Sequence, residues 1–169
     1  MRTGSRYLIV LATTALAGCG FHLRQEAQLP PALQHVHVAV ADTFGPLARD
    51  LPLALKRSGA KVEENVTAGA AEIRIPVSTF NIDTLSVGAT ARVREYTIRY
   101  HVEFEAVDAG NQPVIPKQTI ELSRDYSFDE TQALGIAAQE DEFKKDLERD
   151  MVAAIMRRIE AVGRTQAAH

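Results

Sequence analysis

A chain of 169 residues with 19 Lys and Arg against 22 Asp and Glu carries a net charge of −3, which excludes a broadly basic nucleic-acid binder. A hydrophobic fraction of 46% places it among globular rather than disordered chains. One Cys and no Trp exclude an internal disulfide and any multi-cysteine metal centre.

The N-terminus reads as a secretion signal. Arg2 and Arg6 form a short basic region, and residues 7–16 are apolar but too short to span a bilayer. Leu16, Ala17, Gly18 and Cys19 then make a lipobox: an aliphatic residue, two small residues that fit a peptidase pocket, and the thiol that receives the lipid. Residues 1–18 are therefore expected to be removed, taking Arg2 and Arg6 with them and moving the net charge from −3 to −5. Acyl chains on Cys19 would anchor the protein stably, since more than one chain holds firmly. Gly20, rather than Asp, after the Cys favours the periplasmic side of a bacterial outer membrane.

Residues 19–34 are expected to be the lipidated N-terminus and a tether, because Pro30-Pro31 interrupts any regular pattern. Val36, Val38 and Val40 alternate with His35, His37 and Ala39 as a strand. Leu47, Leu51, Ala54 and Leu55 recur at helical spacing, with Gly59 as the C-terminal stop. Ala71, Ile73, Ile75 and Val77 share one strand face, and the apolar phase then moves to Phe80 and Ile82, which predicts a bulge near Ser78-Thr79. Pro76 places this strand at an edge or beside that bulge.

The clearest strand is 96–107: Tyr96, Ile98, Tyr100, Val102, Phe104 and Ala106 face one way, while Thr97, Arg99, His101, Glu103 and Glu105 face the other. One dry and one wet face imply an antiparallel sheet. Residues 108–111 are a turn. The next strand carries Val114, Ile120, Leu122, Tyr126 and Phe128 on one face. A last helix over 133–162 presents Ile136, Phe143, Leu147, Met151, Ala154, Ile155, Ile159 and Val162 on one side. The expectation is an α+β two-layer sandwich in the order β-α-β-β-β-α: a four-stranded mixed sheet with both helices on one face, a domain over 35–163 and a short flexible tail over 164–169.

Candidate chemistry is sparse. His35, His37 and His101 lack a carboxylate or Cys spaced to complete a metal site, so no metal or cofactor is expected. Glu103 and Glu105 share a face with Arg99 and His101, which reads as a charged sheet surface rather than a catalytic pair. No Ser lies in a nucleophile elbow and no Gly motif cradles phosphate, so no catalytic residue is assigned. Arg92, Arg94 and Arg99 follow the 83–90 loop and are candidates for holding an anionic group such as a phosphate; the alternative is a solvated strand with scattered arginines.

From Cys19 the chain reads Cys-Gly-Phe-His-Leu-Arg, which resembles the mature start of the LPS-assembly lipoprotein LptE family. Gly45-Pro46-Leu47-Ala48-Arg49, Glu95-Tyr96, Arg124-Asp125-Tyr126, Gln132-Ala133-Leu134 and Gln139-Glu140 extend the resemblance in order along the chain. The resemblance implies the same α+β arrangement. It also implies an outer-membrane lipoprotein that plugs the LptD β-barrel, supports its assembly and assists lipopolysaccharide (LPS) delivery. In the family, LPS contact is attributed to basic residues in the loop between the second and third strands and near the start of the last helix. Here residues 87–91 carry no charge and residues 133–138 no Lys or Arg, leaving Arg92 and Arg94 as the nearest substitutes. The alternative from a different class is a free periplasmic lipid carrier, which needs an apolar cavity; a lipoprotein enzyme comes third.

Overall fold

Val36 and Val40 turn inward from β1 (His35–Val40) while His35 and His37 stay half-exposed, as the alternation demands. The computed structural model describes residues 29–87, 93–127 and 133–167. Pro46 opens α1 (Pro46–Arg57), where its missing N–H has no helical bond to lose. Leu47, Leu51 and Leu55 form the buried stripe of that helix. Gly59, at φ +89°, turns the chain out of it, and the Ala60 N–H bonds back to the Leu55 carbonyl at 3.0 Å. Before the helix, a Cβ on Gly45 would meet the Asp42 carboxylate, which accepts the Phe44 N–H at 3.2 Å, so a larger residue there has to displace that side chain.

The sheet has five strands, not four. The additional one, β2 (Lys61–Glu63), is three residues long, too short to show an alternation. It runs parallel to β1, with His35 opposite Lys61 and His37 opposite Glu63. β3 (Ala71–Val87) lies on the other side of β1, also parallel. β4 (Val93–Val107) and β5 (Pro113–Ser127) follow antiparallel, giving the order β2-β1-β3-β4-β5. The mixed α+β layer arrangement therefore stands, with α1 over β1 and β2, and α2 (Ala133–Ala167) over β4 and β5.

The β3 bulge lies between Arg74 and Val77, slightly before the expected place. Pro76 sits inside it, at the point where β1 stops: Val40 opposite Ile75 is the last pair, and the Ala41 N–H to Ile75 carbonyl bond, 3.0 Å, closes the ladder. Beyond Pro76, β3 pairs only with β4 among the described residues. In β5 a second irregularity, opposite Phe104 and Ala106, puts Ile115 rather than Val114 in the core. Phe128 and Ile136 fall where no side chain is described.

Two boundaries differ from the sequence expectation. Leu29 and Leu33 are core residues, because Pro31–Leu33 forms a 3-10 turn, with the Leu33 N–H on the Pro30 carbonyl at 2.8 Å, instead of running on as a tether. The last helix continues through Arg164 to Ala167 and is roughly 52 Å long, so most of the expected tail is helical. Its buried stripe is Leu147, Met151, Ala154, Ile155 and Ile159, with Phe143 and Val162 packed at the margins.

Candidate binding surfaces

The dry face of the sheet is filled. Ile73, Ile75, Ile98, Val102, Phe104 and Ala106 are all shut off from solvent beneath the helices. Tyr100, 2% exposed, has its hydroxyl 2.8 Å from Ser78 Oγ and its ring stacked on Phe80 at 4.0 Å between centroids. Burial raises the Tyr100 pKa. No buried side-chain N or O among the described residues lacks a partner.

The wet face is a lattice of opposite charges. Glu63 takes Lys61 at 2.7 Å and His35 at 2.8 Å, and hydrogen bonds from both hold its carboxyl below the usual range. Arg74 bonds Glu72 at 2.5 Å and lies 3.6 Å from Glu105. Lys117 meets Glu103 at 2.5 Å and lowers its pKa in the same way. His101 lies between Glu103, at 3.9 Å, and Glu121, at 3.7 Å. Some of these contacts join residues two apart on one strand, as Lys61–Glu63, Glu72–Arg74 and His101–Glu103 do, and others cross the ladder, as Arg74–Glu105 and His101–Glu121 do.

Arg99, one of the three candidate anion ligands, belongs to this lattice. Its guanidinium lies 3.4 Å from Asp83 and 3.3 Å from Glu121. Two carboxylates already answer its charge, so it differs from an arginine poised for phosphate. Arg94 is on β4, but the position of its side chain is not described; Arg92 lies outside the described residues, and so does Cys19. Of the three arginines, only the Arg99 side chain lies among those the structure describes. His35 and His37 both engage Glu63, His35 on its carboxylate and His37 on its backbone carbonyl at 3.2 Å. Among the described residues no three His, Cys, Asp or Glu side chains converge as metal ligands.

A feature missed in the sequence joins the end of β5 to α2. Tyr126 donates its hydroxyl to Glu140, stacks with Tyr96 at 5.4 Å and leans on Phe143 at 6.0 Å. Burial first, and the Glu140 bond second, hold the Tyr126 hydroxyl above the usual phenol range. Only the apolar phase of Tyr96 and Tyr126 was readable in advance; the Glu140 partner depends on how α2 docks.

Two clefts among the described residues are surface grooves. One of about 350 Å³ runs between the helices past Leu53, Ala54, Arg149 and Val152. Another of about 310 Å³ lies beside Leu29, Gly59 and Gly163. No helix among the described residues is long and apolar enough to cross a membrane.

The family model LptE, lipopolysaccharide-assembly, matches residues 33–159. The protein named LPS-assembly lipoprotein LptE of Photorhabdus laumondii is 26% identical over 154 residues, covering 90% of this chain and 82% of its own length. That of Yersinia enterocolitica is 27% identical over 153 residues, covering 90% and 73%. In three dimensions the chain is similar to lipoprotein B from Nitrosomonas europaea, with TM-score 0.71 and 29% identity over 84% of this chain and 91% of that one. The fold is shared with rare lipoprotein B from Shewanella oneidensis, with TM-score 0.67 and 22% identity over 79% and 98%.

Proposed function

This chain belongs to the LptE lipopolysaccharide-assembly family, and from that membership we propose that it is an outer-membrane lipoprotein seated inside the LptD β-barrel. There it supports the barrel's assembly and assists delivery of LPS to the cell surface. The carrying observation is how the two sheet faces are used. Two helices consume the apolar face, and the polar face is held in a lattice of ion pairs. A rigid body with such a surface suits a wide, polar barrel lumen. A lipid carrier would instead need a sheltered apolar chamber for acyl chains, and the two clefts described above, formed by the described residues, are open grooves.

Cys19, after its lipobox, supplies the anchor to the inner leaflet. Of the basic candidates, Arg92 and Arg94 carry the proposed LPS contact; Arg99 contributes to the field around them but is already paired. Nothing in this role calls for a catalytic group, metal or nucleic acid.

Depletion of the protein in its own host tests the role. Folded LptD and surface LPS should both fall, and a copy with Cys19→Ala should restore them poorly. Normal surface LPS and normal barrel levels after depletion would refute the reading.

A further inference from the structure

A sheet of five strands has two outer edges, and this one gains a third stretch of edge where β1 ends beside Ile75. The three are treated differently. The β2 edge is three residues long. The β5 edge carries Pro113, Pro116, Lys117, Glu121, Arg124 and Asp125, the prolines and charges that discourage pairing with another chain. Residues 77–87 of β3 have neither defence. They span roughly 35 Å of strand, contain no Pro, Lys or Arg, and carry Asp83 as their one charge. Their register irregularities lie at the far end, between Thr84 and Val87.

The surface agrees. Ile82 is 44% and Leu85 53% exposed, although Ile82 stands opposite the fully buried Ile98. Phe44, in the turn that follows Ala41 at the foot of this edge, is 99% exposed. The edge is also held in place: Phe80 stacks on Tyr100, and Ser78 bonds the Tyr100 hydroxyl. Its outward N–H and C=O groups form a preset ladder for an added strand, a recurring mode of peptide recognition.

We propose that residues 77–87 of β3 accept an extended segment of the barrel partner as an additional strand, seated end to end with β1. The fitting segment is about ten residues long, apolar at alternate positions and free of carboxylates beside Asp83, since like charges across a ladder repel. A second copy of this chain fits worse. Antiparallel pairing of two such edges about Ile82 sets the two Asp83 side chains on one face at diagonal positions across the ladder, where like charges repel. This inference rests on the plug reading above.

The test is photo-crosslinking in cells with the full chain, placing a benzophenone amino acid in place of Asn81 or Thr84 on the edge, and in place of Lys117 or Leu53 as controls. The expected result is capture of the barrel from positions 81 and 84 at several times the yield from 117 and 53. Ile82→Lys with Leu85→Lys should cut the edge yield at least fivefold while the thermal melt of the purified domain stays in place. Capture of the barrel only from 117 or 53 overturns the edge inference and leaves the plug reading intact. Capture of a second copy, or of this chain's own residues 1–28, from 81 or 84 also overturns it. Absence of the barrel from all four positions removes the plug reading as well.

Discussion

Arg99 Nε lies 3.3 Å from Glu121 Oε1, a diagonal contact across the β4–β5 ladder. With Asp83 on its other side, Arg99 is part of the sheet's own charge balance. Exposed pairs of this kind contribute no more than about 1 kcal/mol each. Arg99→Ala should therefore shift the melt slightly and leave LPS binding by the purified domain nearly unchanged. Arg92→Glu with Arg94→Glu should weaken LPS binding strongly, and the two lysine replacements moderately, because Lys keeps the charge but loses the bidentate fork. A binding titration of the three variants separates the outcomes; equal losses for Arg99→Ala and the double Glu variant would return Arg99 to the lipid site.

Phe104 and Glu103 are neighbours on β4 that point to opposite faces, one with no exposure and one on the wet lattice. Phe104→Ala should cost about 3–5 kcal/mol through the cavity it leaves. Glu103→Ala should cost a small part of that. Denaturant melts of both read the difference directly.

Acid should weaken the fold. Glu63 and Glu103 have pKa values lowered in the folded protein, by Lys61 with His35 and by Lys117 respectively, from the ordinary value of 4.5. The unfolded chain therefore takes up protons first on acidification. The stability from these pairs is present above that value and is lost as pH falls through it toward the lowered folded values. Glu148 works the other way, since burial raises its pKa and favours the folded state as it protonates. Melts taken between neutral pH and pH 3 should show a falling limb that Glu103→Gln flattens.

The lipid anchor gives a separate prediction. Cys19→Ala should yield protein without acyl mass at its mature N-terminus and with reduced outer-membrane recovery. Mass spectrometry of the wild-type N-terminus settles it: an unmodified Cys19 would remove the anchor from the account.

Much of the fold could be read from side-chain periodicity, and the departures share a cause. The wet and dry phases of β4 are evident because six apolar positions alternate without interruption. β2 escaped because three residues make no pattern; its place is set by the Lys61 N–H to Gln34 carbonyl bond, 2.7 Å, and by pairing with β1. Ile115 displaced Val114 because a bulge changes parity without changing composition. Leu33 looked like tether because it follows two prolines, yet those prolines wind the turn that buries it. The binding surface was less readable than the fold. Arg99 met its partners through register, and the open half of β3 exists because β1 is shorter than its neighbour.

The most direct measurement is purification of the intact lipoprotein from outer membranes in mild detergent, followed by native mass spectrometry. The account predicts a stable, stoichiometric complex with the LptD barrel. Recovery of the protein alone, or with bound lipid and no barrel, would contradict it.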